Sequence, residues 1–237
     1  MVMEPTVENR VAGRVRRRVS RVQSDGFESF SKVVWDIDWA VHLPLPLGHG
    51  IVVRSATLDD IFPFVARHSA EIFEENPGAS RFLPQRMTEA KKRYYERCAD
   101  IFEFVDDERT AGVLVGTPVD WSTYYVRFVA TLPRYRGRRI FQTFLPHLFR
   151  VLGGAGVERV EAETSPSNLA FVHLMNKFAF NVTGTVLSDR WGALVRFTKF
   201  LDSESEEIFL RQYCTGVEYQ RRRGGNIKHN PLERRTL

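Results

Sequence analysis

The chain has 237 residues and a mass of 27.4 kDa, which suits one domain or one domain with long arms. It is 43% hydrophobic and 27% charged, as is typical of globular proteins, and it has no run of about 18 apolar residues, which excludes a membrane-spanning helix. The net charge of +5 resides in the ends: residues 1–22 and 216–237 each carry +4, which leaves −3 for residues 23–215. This distribution argues against nucleic-acid binding by the folded body, where such proteins usually carry their basic patch.

The first 50 residues are predicted to form an arm and an extension. Residues 1–22 are a basic arm, whereas residues 30–45 are rich in apolar side chains, among them Trp35 and Trp39, and are expected to pack on the body. We divide the chain into this N-terminal extension over 1–50, a main domain over 51–201, and a C-terminal helix with a basic tail over 202–237.

The two cysteines, Cys98 and Cys214, lie 116 positions apart, which does not match the close spacing of a metal site. The residues after Met1 include no apolar stretch that would serve as a secretory signal. Both features favour a reducing compartment, and we expect a cytoplasmic protein without a bound metal.

The main domain is predicted to begin with a strand over 51–54 and two helices. Thr57 and Asp60 have the spacing of a capping box, and the apolar period continues from there to Ile72. Asn76, Pro77 and Gly78 are expected to end this helix, and a second helix runs from 88 to 98.

The second half of the domain alternates strands and helices. The predicted strands cover 101–105, 111–115, 124–131, 160–164, 182–187 and 193–200. A helix over 140–152 is expected to stop at Gly153 and Gly154, a helix from Ser165 and Pro166 to Phe178 uses Ser165 as its cap, and a last helix covers 203–213. The hairpins and two crossovers predict a mixed sheet with helices on both faces.

The segment 130–141 joins a predicted strand to a predicted helix and carries the clearest chemical pattern. Gly137 permits close backbone approach, and the helix start directs unpaired N–H groups toward the same point. Arginines at 134, 136, 138 and 139 add positive charge. These properties predict a pyrophosphate-binding turn, with a basic surface turn as the alternative.

This segment resembles the cofactor loop of the GCN5-related N-acetyltransferase (GNAT) superfamily, Gln/Arg-x-x-Gly-x-Gly/Ala after a proline. Pro133, Arg134 and Gly137 match, and Arg139 departs at the second glycine position. A later family pattern, Asn-x-x-Ala-x-x-Leu-Tyr-x-Lys-x-Gly-Phe, aligns with residues 168–180. There Asn168, Leu174, Lys177 and Phe180 match, whereas Met175 replaces the tyrosine and Ala179 the glycine.

The resemblance implies the fold, the donor and the residues that hold it. The expected fold is a mixed α/β (α+β) one, with a mostly antiparallel twisted sheet. The donor would be acetyl-CoA or a longer acyl-CoA, with no metal. Backbone groups near 129–131 would pair with the pantetheine arm, N–H groups of 136–140 would hold the pyrophosphate, and Asn168 would steady the pantetheine. The implied cofactor-binding residues are Val129, Ala130, Thr131, Arg134, Arg136, Gly137, Arg138, Arg139, Ile140 and Asn168.

The resemblance also implies an amine acceptor that attacks the thioester directly in a ternary complex. Met175 cannot supply the proton that the family tyrosine is thought to give the leaving thiolate. Glu163 is the nearest carboxylate by topology and our candidate base, although Glu161 shares its face, and Tyr125 could position a water. The acceptor, a small amine or a lysine of a peptide or protein, would bind between residues 71–86 and 187–191.

Several alternatives stay open at this point. Phe141 and Phe144, at the start of the cofactor helix, could adapt the acyl site to a longer chain or restrict it to acetyl. The fold could bind acyl-CoA without catalysis, as a regulatory module. The basic arms could contact a peptide or, less in keeping with the charge distribution, nucleic acid. We expect no membrane association, and a homodimer is possible.

Overall fold

The computed structural model describes residues 34–73, 88–189 and 191–214. These residues form eight strands: β1 Leu45–Gly48, β2 Ile51–Ser55, β3 Asp100–Asp106, β4 Arg109–Pro118, β5 Thr123–Thr131, β6 Arg159–Thr164, β7 Asn181–Ser188 and β8 Gly192–Phe200. The helices are α1 Trp39–His42, α2 Leu58–Arg67, α3 Ser69–Phe73, α4 Glu89–Cys98, α5 Ile140–Gly154, α6 Leu169–Lys177 and α7 Ser203–Tyr213. The predicted strands and helices are confirmed in type and order.

All eight strands belong to one sheet in the order β1-β2-β3-β4-β5-β6-β8-β7. Every neighbouring pair is antiparallel except β5 and β6, which run parallel because α5 crosses over between them. The mixed, mostly antiparallel sheet of the prediction is therefore confirmed.

Helices cover both faces of this sheet. On one face, Phe102 and Phe104 of β3 pack on Phe144 of α5, with ring centroids 5.2 and 5.3 Å apart. On the other face, Phe73 of α3 stacks on Phe128 of β5 at 5.8 Å. The faces are named the α5 face and the α3 face below.

The N-terminal extension packs on the body over its described part, as predicted. Trp35, Ile37 and Trp39 are buried, and Trp39 meets Phe102 edge-on at 4.9 Å. The Trp35 indole N–H donates to the backbone carbonyl of Trp121 at 2.9 Å. Strand β1 was not predicted, since Pro46 argues against a strand, but β1 lies at the sheet edge, where a missing N–H is tolerated.

The first helical region has the predicted capping box but is not the single continuous helix that the sequence predicts. Thr57 and Asp60 form the capping box, and Thr88 caps α4. The single helix predicted to reach Ile72 is instead divided at His68 into α2 and α3. The Asn-Pro-Gly end signal at 76–78 lies outside the described residues, as do the basic arms over 1–22 and 216–237.

The predicted end of α5 and the predicted start of α6 are wrong. Helix α5 includes both Gly153 and Gly154 and ends at Ala155, whose N–H caps three carbonyls of the last turn. The next helix starts at Leu169, because the Asn168 side chain accepts the Phe171 N–H, whereas the Ser165 hydroxyl forms a local turn with Ser167. No helix among the residues that the structure describes is long and apolar enough to cross a membrane.

Candidate active site

The site begins where β5 and β6 separate. These strands pair only from Thr123↔Arg159 to Val126↔Ala162, whereas β5 stays paired with β4 through Thr131. Residues 127–131 therefore have no strand partner on their β6 side within the described part of the chain. Their N–H and C=O groups on that side can add an extended ligand in the manner of a further strand.

The turn after β5 brings backbone N–H groups together at the start of α5. Residues Pro133–Tyr135 form a 3-10 turn, Gly137 has φ +80°, and α5 begins at Ile140 with no side-chain cap and no acidic residue in its first turn. A Cβ at Gly137 would meet nothing within 4 Å, so the space over the turn is open. An anion is the natural partner of such a helix start.

The described structure narrows the set of N–H donors in this turn. The N–H of Arg136 already donates to Pro133 at 3.1 Å, and that of Arg138 to Tyr135 at 3.4 Å. Two of the five predicted pyrophosphate donors are thus engaged in the turn itself. The N–H groups that have no hydrogen bond among the described residues are those of Gly137, Arg139, Ile140, Phe141 and Gln142.

The arginine side chains surround this turn with positive charge. The guanidinium groups of Arg134 and Arg138 lie over the Tyr135 ring, 5.1 and 4.9 Å from its centroid. Arg138 also approaches Asp106 at 3.5 Å, and Arg136 donates to the backbone carbonyl of Glu71 at 3.2 Å. The last contact links the turn after β5, called the donor turn below, to α3 on the other side of the site.

Arg139, the departure from the family pattern, has the left-handed backbone that a glycine would favour, with φ 59°. It stands at the N-cap of α5, one residue before the first turn of the helix. The N–H nevertheless stays unpaired, so the turn keeps its donor at the cost of left-handed strain in a residue with a Cβ.

We expect Arg139→Gly to raise the free energy of unfolding by about 1 kcal/mol, because glycine adopts this backbone without the Cβ penalty. Thermal unfolding of the variant measures the gain. Arg139→Ala is the matched control, since it removes the guanidinium and retains the Cβ. If the alanine variant is as stable as the glycine variant, the left-handed backbone is not the cause.

The side chain of Asn168 is partly engaged in the fold. Its Oδ1 accepts the Phe171 N–H, and its Nδ2 donates to the Thr164 hydroxyl at 3.2 Å. One Nδ2 hydrogen is left over by these contacts. Asn168 thus holds the start of α6 close to the end of β6, at the opening between the strands.

A small apolar cavity of about 10 Å³ lies on the α5 face of the strand separation. Val126, Val129 and Ala162 form its strand side, and Phe141 and Met175 belong to its helical side. Met175 is buried. No hydroxyl or carboxyl side chain lines this cavity, which matches the loss of the family tyrosine at position 175.

The predicted catalytic residues meet on the α3 face. The Tyr125 hydroxyl donates to Glu163 Oε2 at 3.2 Å, and Arg196 of β8 donates to Glu163 Oε1 through Nε at 2.8 Å. Burial, with the neighbouring Glu163 carboxylate, raises the pKa of Tyr125 to about 12, so Tyr125 is a hydrogen-bond donor at neutral pH. The hydrogen bond with Glu163 raises the pKa of Arg196.

Next to this cluster, three aromatic rings connect the first helices with the last hairpin. Phe73 lies between Phe128 and Trp191, with both centroid distances 5.8 Å. His68 Nδ1 contacts Glu71 at 2.6 Å on the same side. This is the region in which the family resemblance places the acceptor, although residues 74–87 lie outside the described structure.

Arg196 is the functional side chain that sequence reasoning missed. It lies opposite Glu163 in the register of β6 and β8, and no motif marks it. A regular alternation in β8 could have placed it on one face, but only the register reveals its partner.

The sheet with its one parallel opening, and the helix start beside it with N–H groups that have no hydrogen bond among the described residues, form a site suited to an anionic, extended ligand between two strands. Residues 66–180 match the family model described as Acetyltransferase (GNAT) family. Residues 66–180 are therefore a GNAT acetyltransferase domain, which confirms the resemblance. No curated protein matches the chain in sequence.

Solved structures show the same fold at low sequence identity. An acetyltransferase of the GNAT family from Streptococcus pneumoniae is 15% identical, with a TM-score of 0.51 over 64% of this chain and 99% of that one. An N-acetyltransferase from Staphylococcus aureus Mu50 is 20% identical, with a TM-score of 0.50 over 64% and 99%. RimL, a ribosomal L7/L12 alpha-N-protein acetyltransferase in complex with coenzyme A, is 12% identical, with a TM-score of 0.51 over 67% and 98%.

Proposed function

We propose that the protein is an N-acyltransferase that moves an acyl group from acyl-CoA to a primary amine by direct attack in a ternary complex. The observation that carries this proposal is the group of backbone N–H groups at 137 and 139–142, which have no hydrogen bond among the described residues and lie beside the opening between β5 and β6. The turn would hold the pyrophosphate, and the free edge of 129–131 would hold the pantetheine arm.

The residues on both sides of the opening fit such a donor. Arg134 and Arg138 supply positive charge near the pyrophosphate, and the remaining Asn168 hydrogen can bind a pantetheine oxygen. The apolar side chains around the small cavity, Val129 and Met175 among them, give the thioester end of the arm an environment without competing polar groups, although the cavity itself is only about the size of one water molecule.

We propose that the acceptor enters on the α3 face, where Glu163 and Tyr125 are joined by a hydrogen bond. Its class stays open between a small amine and a lysine of a peptide or protein. Free Cys98 and Cys214 agree with the proposed cytoplasmic location. Catalysis would then rest on alignment of the two substrates and on a carboxylate that takes the amine proton.

Calorimetric titration with free coenzyme A and with acetyl-, octanoyl- and palmitoyl-CoA tests the donor half of the proposal. We expect binding of coenzyme A and at least one thioester. Thiol release with n-butylamine, spermidine and a lysine-containing peptide then tests transfer. Absence of binding of free coenzyme A and of all three thioesters would reject the donor site.

The second candidate is a regulatory acyl-CoA-binding module without catalysis. Met175 in place of the family tyrosine favours it, as does the pairing of Glu163 with Arg196. Tight donor binding without thiol release for any of the three amines would support this candidate over the transferase.

A further inference from the structure

Two carboxylates of β6 lie on the α3 face, and their surroundings differ. Both oxygens of Glu163 are occupied: Oε1 by the Arg196 guanidinium at 2.7 and 2.8 Å, and Oε2 by the Tyr125 hydroxyl. Glu161 is also mostly enclosed, with 20% of its side chain exposed, but it approaches Arg196 Nε only at 3.9 Å. Among the described residues, Glu161 accepts no hydrogen bond.

An enclosed carboxylate without a hydrogen-bond donor is costly, because its lost hydration is not replaced. Glu163 does not bear this cost, because both of its carboxylate oxygens accept hydrogen bonds. Among the described residues, Glu161 thus has a long ion pair with Arg196 but no hydrogen-bond donor, and an ammonium group would supply such donors together with its charge.

The position of Glu161 fits this role. It lies opposite Tyr125 in the parallel pairing of β5 and β6, one residue before the last paired position, Val126↔Ala162. Ala162 points to the apolar cavity on the α5 face, so its neighbours Glu161 and Glu163 point to the α3 face. An amine bound to Glu161 would stand next to the point at which the strands open.

We propose that Glu161 binds the acceptor ammonium and takes its proton. Arg196 is a positioning residue: its guanidinium keeps the Glu163 carboxylate hydrogen-bonded, so that Glu163 does not accept the proton. The proposal rests on the proposed function. The Glu163 carboxylate would have to give up charge-assisted hydrogen bonds to accept a proton, and the Glu161 carboxylate would not.

The transfer starts from a primary ammonium bound to Glu161. One N–H proton passes to the Glu161 carboxylate, and the freed nitrogen pair forms a bond to the thioester carbonyl carbon. The C–S bond then breaks, and its electron pair leaves with sulfur. The thiolate takes the proton held by Glu161 through water, and the amide nitrogen loses its second proton to water. The products are the amide, the coenzyme A thiol and one proton in solvent, and Glu161 is ionised again.

The test compares matched glutamine variants of the full chain, with saturating acetyl-CoA and whichever of n-butylamine, spermidine and the lysine peptide reacts fastest. We expect Glu161→Gln to lower kcat/KM about 100- to 10,000-fold, with unchanged coenzyme A affinity. Glu163→Gln should lose less than about tenfold, because it removes no proton acceptor. Glu158→Gln, at a half-exposed carboxylate just before β6 that pairs with Arg159, is the control and should match the wild type.

The positioning role of Arg196 is tested by measuring KM and kcat separately. Arg196→Gln should raise KM for the amine with little change in kcat, and Arg196→Lys should recover part of the loss. A purely structural residue would lower the unfolding temperature without separating KM from kcat.

The proposal is overturned if Glu163→Gln loses about 100-fold or more while Glu161→Gln stays near the wild type, or if both lose equally. If the wild type binds coenzyme A but releases no thiol, the proposed transfer fails separately. Spermidine is then titrated into the coenzyme A complex. Binding that Glu161→Gln abolishes and Glu163→Gln retains supports Glu161 as the amine ligand, and absence of spermidine binding rejects it.

Discussion

Gly137→Asp should lower the affinity for coenzyme A at least about 100-fold, because it places a carboxylate against the pyrophosphate. The position has φ +80°, which strains a residue with a Cβ, but aspartate tolerates this backbone better than most residues and a Cβ there would meet no atom within 4 Å, so the variant should fold. Like charges about 4 Å apart near a protein surface repel by up to about 4 kcal/mol, which is more than a 100-fold loss of affinity requires. Calorimetric titration with free coenzyme A measures the effect.

Gly137→Asn is the matched control for this variant. Asparagine has almost the same shape as aspartate and tolerates the same left-handed backbone, but it carries no charge. We expect it to bind coenzyme A within about tenfold of the wild type. If the aspartate variant binds as well as the asparagine variant, the anion site does not lie at this turn.

Gly116→Ala should destabilise the fold by about 3 kcal/mol or more, since it overpacks a rigid part of the core. A Cβ at this position would lie 2.1 Å from the Tyr124 hydroxyl oxygen and 2.3 Å from two ring atoms. Tyr124 is fully buried and packs near Trp35, with ring centroids 6.1 Å apart, so it has no free space to enter. Chemical denaturation measures the loss.

The double variant Gly116→Ala/Tyr124→Leu separates the clash from other effects. The shorter leucine removes the atoms that the new Cβ would meet, so it should regain part of the stability that Gly116→Ala loses. Gly153→Ala, where a Cβ would meet only Leu201 at 3.8 Å, should be neutral or slightly stabilising. A stable Gly116→Ala variant would contradict the packing of Tyr124 over β4.

Much of the fold is local and could be predicted. The strands 101–105, 111–115 and 124–131 follow from short apolar runs between turns, and the Thr57 and Thr88 caps follow from their side chains. The division of the first helix at His68 could not be predicted, because its apolar period continues past the break. Ser165 and Asn168 are both good caps, and the choice of Asn168 depends on its further bond to Thr164.

The donor turn was predicted in outline and refined by the structure. Its residues, its charge and its helix start are contiguous in sequence. The 3-10 turn that engages the N–H groups of Arg136 and Arg138, and the left-handed backbone of Arg139, depend on how β5 leads into α5. The identity of the residues that hold the donor is a prediction that coenzyme A binding will test.

The sequence by itself determined most of the strand and helix order, the arginine-rich turn between β5 and α5, and the family resemblance, because each rests on near neighbours along the chain. Only the tertiary structure decided where β5 and β6 part, and which side chains meet on the α3 face. Arg196 and Glu163 are 33 residues apart, and they meet only because β6 and β8 pair in one register. A shift of one residue would turn each side chain to the opposite face, so the roles of Glu161 and Glu163 follow from packing across the whole sheet.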